Sequence, residues 1–277
     1  MRAPTIRQRA TQPARVLLLL LAASAAASRL WSAQAPTPLP DLVALPPGTF
    51  AYRAAGEVLR DGRPVAAPMR IEQIERPLLI MRQHVTGAEY QRCVRDRACA
   101  DVEDAAAPNI PVVKVSWRDA TAYAAWLSRT TGLGFRLPTD QEWAYAAGSR
   151  FADDALPAGA DLTDPGRRAV ARYDQGAERV AGLLKAPQPS GAFGSNEHGL
   201  LDMAGNVWEW TDSCFVRTHL DTEGQVLSDV VNCGVRLVEG RHRTFVPEFI
   251  RDARAGGCSA GTPPSNLGFR LVRAAGP

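Results

Sequence analysis

Five cysteines and four histidines carry most of the nucleophilic and soft-ligand chemistry open to this 277-residue chain. A thiolate can attack, pair into a disulfide or bind a soft metal, and spacing and surroundings decide which. Cys93 and Cys99 lie six residues apart and Cys214 and Cys233 nineteen apart; Cys258 is left over in Gly256-Gly257-Cys258. Between Cys233 and Cys258 there is no cysteine. The glycines and Arg254 beside Cys258 would allow an exposed, reactive thiolate; a buried apolar thiol, or pairing with another cysteine, is the alternative. His84, His198, His219 and His242 leave few choices for an imidazole metal site. His242 is a weak candidate for a metal or catalytic role, against a hydrogen-bonded structural one. Around it Arg241, Arg243, Arg251 and Arg254 alternate with Glu239, Glu248 and Asp252. Two readings stay open: a recognition surface for an acidic ligand or peptide, with Arg241, Arg243 and Arg251 as its cations, or an internal ion-pair network.

Three helix starts that would position such residues are signalled by capping boxes, in which a hydroxyl takes an amide proton and an acid three residues on reaches back. They begin at Thr86 (Glu89), Ser116 (Asp119) and Thr139 (Glu142). Behind Ser116, Ala120, Tyr123, Ala124 and Leu127 repeat on one helical face, and Gly132 follows the end. Behind Thr139, Trp143, Ala146 and Ala147 share a face, with Gly148 as the stop. Strand-like runs cover Met69–Ile74, Leu78–Met81, Pro111–Val115 and Gly268–Val272. Helices and strands do not alternate regularly, which predicts an α+β fold, and scattered Pro and Gly make it loop-rich.

Composition narrows the classes. With 45% hydrophobic residues the chain can bury a real core, which excludes disorder and a small disulfide-held scaffold. Arg2, Arg7, Arg9 and Arg15 precede the apolar run Val16–Ala27, and small residues follow, the pattern of a secretory signal peptide over 1–35. The run is too short to span a bilayer, which takes about 20 residues. Pro36 opens a linker read over 36–44, with one domain expected from 45 to 277. Residues 1–35 hold five Arg and no acid, so the formal +3 becomes −2 in the rest of the chain. That balance argues against nucleic acid as a partner. Export to the periplasm or beyond implies an oxidising compartment.

Several segments, in order, resemble the formylglycine-generating enzyme, or sulfatase-modifying factor, family. They are Leu45-Pro46-Pro47-Gly48-Thr49-Phe50; Val85-Thr86-Gly87-Ala88-Glu89-Tyr90; Pro111 to Trp117 with Asp119-Ala120; Arg136-Leu137-Pro138-Thr139 with Glu142-Trp143; Gly199 to Trp210; and Asn266-Leu267-Gly268-Phe269-Arg270. The resemblance implies a C-type-lectin-like domain. It also implies a structural Ca2+ held by the side chains of Asp202 and Glu209 and the carbonyls of Gly205 and Val207, since calcium prefers six to eight hard oxygens. Disulfides Cys93–Cys99 and Cys214–Cys233 are implied in the same way. The family's Cu(I) chemistry uses two cysteines five residues apart, because soft thiolates select Cu(I). Those positions fall here on His242 and Pro247, or on Phe245 and Ile250, and Glu239 and Arg241 replace an expected Arg and Gly. No Cu(I) dithiolate can form there.

The expectation that follows is an exported, monomeric maturation or binding factor for another exported protein or peptide. Two alternatives stand beside it. One is an oxidoreductase of altered chemistry, iron-dependent or with residual formylglycine generation. The other is a lectin-like binding module, with Thr218–Asn232 as its specificity loop.

Overall fold

The computed structural model describes residues 37–102, 108–153, 155, 164–181, 186–255 and 266–273. Residues 36–277 form one unit. The signal-like segment and Cys258 lie outside the described residues. Among those described, no helix is long and apolar enough to cross a membrane.

All three capping boxes form, and each starts a helix at the residue after the cap. They open α1 (Gly87–Arg95), α2 (Trp117–Thr131) and α3 (Asp140–Ala147). The glycine stop of α2 is real: Gly132 adopts a left-handed φ of 71°. A fourth helix, α4 (Pro165–Val180), was not expected. It has Asp164 as cap and Pro165 in the first turn, but Val170 and Tyr173 point to solvent, so no apolar stripe announces it.

Among the described residues twelve strands make three sheets. A four-stranded sheet has the order β1 (Leu42–Leu45), β6 (Leu78–Met81), β12 (Val272–Arg273), β7 (Phe135–Arg136). Strand β1 begins inside the segment read as linker, because Leu42–Leu45 pairs antiparallel with Leu78–Met81. A second sheet runs β10 (Thr244–Pro247), β9 (Val226–Glu239), β8 (Trp208–Leu220), β3 (Glu57–Arg60), β4 (Arg63–Val65), with β11 (Leu267–Gly268) also on β8. Strands β2 (Gly48–Arg53) and β5 (Met69–Ile74) pair alone.

Three expectations are corrected. Pro111–Val115 is not a strand: Pro111 makes an isolated bridge to Thr86, and Lys114 takes a φ of 58° that breaks extended pairing. Thr218–Asn232 is not a loop but the outer half of the β8–β9 hairpin, turning at Asp221–Gln225. Gly268–Val272 splits into β11 and β12, with Phe269, Arg270 and Leu271 buried between them.

Two apolar clusters hold these elements. Tyr90, Tyr123, Trp126, Trp208, Trp210 and Phe269 anchor one; Ile80, Trp143, Leu200 and Met203 anchor the other. Both expected disulfides are formed, with Cα separations of 5.3 Å for Cys93–Cys99 and 4.5 Å for Cys214–Cys233.

Candidate functional site

Strand β9 ends at Glu239 and the chain turns through Gly240–Arg243 into β10. A Cβ on Gly240 would come within 2.5 Å of the Trp208 ring, so glycine lets the turn lie flat on the indole. Trp208 Nε1 donates to the His242 carbonyl at 3.2 Å, and the two rings meet edge to face at 5.4 Å. His242 is therefore packed into the core side of the turn and is buried.

Arg243 turns inward. Its Nε donates to Glu239 Oε1 at 2.8 Å, its Nη1 to the Arg53 carbonyl at 2.9 Å, and its Nη2 lies 3.2 Å from Asp140 Oδ2. The guanidinium also stands over the rings of Tyr52 and Phe151, at 5.1 and 5.2 Å. The Tyr52 hydroxyl donates to Asp140. Asp140, Glu239 and Arg243 are all buried, so two carboxyls share one guanidinium away from water. Burial, and then the charge of Asp140, push the Glu239 carboxyl well above its ordinary range; Arg243 opposes this without reversing it. Burial and the same neighbour push the Tyr52 phenol up.

Arg241 faces outward and is exposed. It lines a cleft of about 400 Å3 with Arg150, Ala152, Phe193 and Met203–Gly205. Arg150 is committed to the wall itself: its guanidinium donates to the carbonyls of Phe193 (3.2 Å) and Ser195 (2.7 Å), among others. Arg241 makes no hydrogen bond or ion pair with any described residue. Asp202, Ala204 and Asn206 all take positive φ values, 58°, 53° and 61°, and of the three Ala204 lines the cleft. Asp and Asn tolerate that conformation; for Ala204 it costs about 1 kcal/mol. The surroundings hold it there: Asp202 accepts from the amides of Gly191 and Phe193, and Asn206 clasps the Gln188 backbone in both directions.

The same segment carries the oxygens expected to hold calcium, and they do not fit that ion here. Glu209 is fully buried and taken by other cations. Arg270 grips it with Nε at 2.6 Å and Nη2 at 2.9 Å, and His84 Nε2 lies 2.9 Å from Oε1. Burial alone would raise this carboxyl, but Arg270 and then His84 bring it down to about 2. Arg270 Nη2 also donates to the Leu201 carbonyl. Both oxygens of Asp202 accept amide protons, and the Gly205 carbonyl accepts from Val207 at 2.7 Å. The Glu209 carboxylate is thus already paired with a guanidinium, which would repel a divalent ion brought to it.

The remaining expected residues separate. Arg251 forks onto Asp119, both contacts at 2.8 Å, and so braces the capping box of α2. Arg254 pairs with Asp252. Of the three arginines expected to recognise a ligand, Arg243 and Arg251 are spent on ion pairs and Arg241 lines the cleft. The four imidazoles lie apart: His84 against Glu209, His198 near Tyr145, His219 opposite Ser228 in the hairpin, His242 under Trp208. Among the described residues no three or more His, Cys, Asp or Glu side chains converge on a metal position.

A family model for the sulfatase-modifying factor enzyme 1-like domain matches residues 27–275. The chain is 36% identical over 199 residues to the formylglycine-generating enzyme of Streptomyces coelicolor, covering 68% of this chain and 59% of that protein. It is 34% identical over 169 residues to the inactive C-alpha-formylglycine-generating enzyme 2 of Bos taurus, covering 60% and 51%. It thus spans between a half and three-fifths of these relatives. PvdO from Pseudomonas aeruginosa shares the fold, with a TM-score of 0.51 at 21% identity, over 85% of this chain and 95% of that one. With six motif blocks in order and a match across nine-tenths of its length, the chain belongs to the sulfatase-modifying factor enzyme 1-like domain family.

Proposed function

We propose that this chain is an exported member of the family that binds and helps mature another exported protein, without copper-dependent formylglycine generation. One observation carries the reading. The turn where a thiolate pair is needed holds His242 and Arg243 packed inward, Pro247 and Phe245 in β10, and no cysteine between Cys233 and Cys258. Copper(I) selects soft sulfur, and an imidazole beside a buried arginine does not replace two thiolates. What this turn offers instead is Arg241 on an open cleft, which suits binding. Two disulfides and the signal-like segment support export. The similarity to a formylglycine-generating enzyme named as inactive is in keeping with a family role that does not need the oxidation.

The test is direct. The purified chain, supplied with Cu(I) and oxygen, is incubated with a Cys-x-Pro-x-Arg peptide, and the peptide is read by mass spectrometry. No conversion of the cysteine to an aldehyde is expected. Conversion at a rate above the copper-only control sinks the proposal.

A further inference from the structure

The cleft beside Arg241 has a composition that points to a ligand. Its walls are Phe193, Met203, Ala152, Ala204 and Gly205, which are apolar or backbone, and its two charged residues are Arg150 and Arg241. Among the described residues no carboxylate lines it. Arg150 is a strut, because its donors go to carbonyls of the surrounding loop. Arg241 has no such duty among the described residues and is exposed. Ala204, which lines it, is held at positive φ between two side-chain clasps, those of Asp202 and Asn206. Strain of that kind persists where the surroundings over-determine it, and it clusters at binding sites.

The geometry points to a ligand that carries one carboxylate on an apolar body; we infer that Arg241 meets the carboxylate while Phe193, with Ala152 and Ala204, covers the body. Three features select that class. A volume of about 400 Å3 lies at the small end of ligand cavities, so the body is of side-chain size. One uncommitted guanidinium matches a single planar carboxylate, which it can bind through two parallel hydrogen bonds. A phosphate, with more charge to neutralise, would call for more free cations than Arg241 supplies. Two sources share this chemistry: the C-terminal residue of a peptide, and a free small carboxylic acid.

The inference deepens the binding reading above by naming what the site takes. Its test reads occupancy rather than cysteine chemistry, so either can fail while the other stands. Calorimetric titrations compare N-acetyl-leucine, its uncharged amide, and the tripeptide acetyl-Ala-Ala-Leu with a free C-terminus. The expected result is saturable binding of both acids and at least tenfold weaker binding of the amide. In Arg241→Gln the acids should fall to the level of the amide, and Arg241→Lys should restore part of the loss, since charge returns without the fork. Arg241 is exposed, so near-parental melting of these variants shows that the fold is intact. A second variant, Ala152→Phe, fills the cleft and should weaken the acids while Arg241 remains. Tighter binding of the tripeptide assigns the site to a peptide terminus; equal binding assigns it to a free acid. Equal affinity for acid and amide overturns the inference. So does unchanged acid binding in Arg241→Gln, or no saturation by either acid.

Discussion

Glu239→Gln should stabilise this protein at neutral and alkaline pH and do little near pH 5. Glu239 and Asp140 are both buried and share Arg243, with the Tyr52 hydroxyl on Asp140 and the Arg53–Asp153 pair close by. If both acids ionised, two negative charges would face one positive charge in a dry site. Burial and Asp140 therefore keep Glu239 protonated above its ordinary 4.5. A carboxyl whose pKa is raised by folding contributes stability that is fully present below its unfolded pKa. That stability drains away as pH rises toward the folded value. The slope for one proton is about 1.4 kcal/mol per pH unit. Each pH unit inside that window therefore costs about 1.4 kcal/mol, or roughly 3–6 °C in Tm for a domain of this size. Glutamine keeps the shape and is neutral at every pH, so its profile should be flat where the parent's falls. Thermal melts of both proteins with disulfides intact, at pH 5, 6, 7 and 8, provide the check. Melting curves that start together and diverge upward for the variant fit the reasoning. Parallel profiles across that range refute it, because they mean Glu239 binds no extra proton in the folded state. Asp140→Asn should also flatten the slope, by removing the charge that holds the proton on.

Glu209 should act in the opposite sense. Its folded value of about 2 adds stability above pH 4.5, on the order of 3 kcal/mol, that is lost as pH falls from 4.5 towards 2; Glu209→Gln, which strands Arg270, should cost about 3–5 kcal/mol in urea unfolding at pH 7. Calcium should leave the protein unmoved: a site with a Kd of about 10 μM would add about 2.7 kcal/mol at 1 mM Ca2+. A rise of several degrees in Tm over an EDTA control would show that Glu209 can leave Arg270. Replacing Cys214 and Cys233 by serine should cost about 3 kcal/mol, as expected for a loop of this length, and more than the same change at Cys93 and Cys99, which close a shorter loop.

Local signals were legible and distant pairings were not. Thr86, Ser116 and Thr139 each announce a helix because cap and acid are three residues apart and act on the same turn. Val226 to Asn232 reads poorly as a strand because both of its faces are exposed, so no alternation of apolar and polar residues is imposed on it. Helix α4 hides for the same reason. At the candidate site, the Arg241–Arg243–Arg251 group stands out by composition. What separates its members is which acids they meet, and beyond the nearby Glu239 of Arg243 those lie far off in the chain: Asp140 for Arg243 and Asp119 for Arg251. The calcium expectation rested on a segment whose oxygens are right in type. Arg270, sixty-one residues from Glu209, claims that carboxylate, and the amides of Gly191 and Phe193 claim Asp202.

The order of strands in the four-stranded sheet has a consequence for how the chain acquires its structure. Strand β12 does not sit at an edge; it lies between β6 and β7, pairing Val272 with both Ile80 and Arg136. Until residues 272–273 are in place, β6 and β7 have a gap between them, and Phe269, Arg270 and Leu271 are missing from the interior. A ribosome-bound chain lacking this stretch cannot close its core. Contacts of such long sequence separation also slow the search. The topology delays completion of this sheet until β12, which follows every other described strand in chain order, has been delivered. It also makes the short stretch around β12 a natural quality checkpoint, since chains cut short before it expose the apolar face of β6.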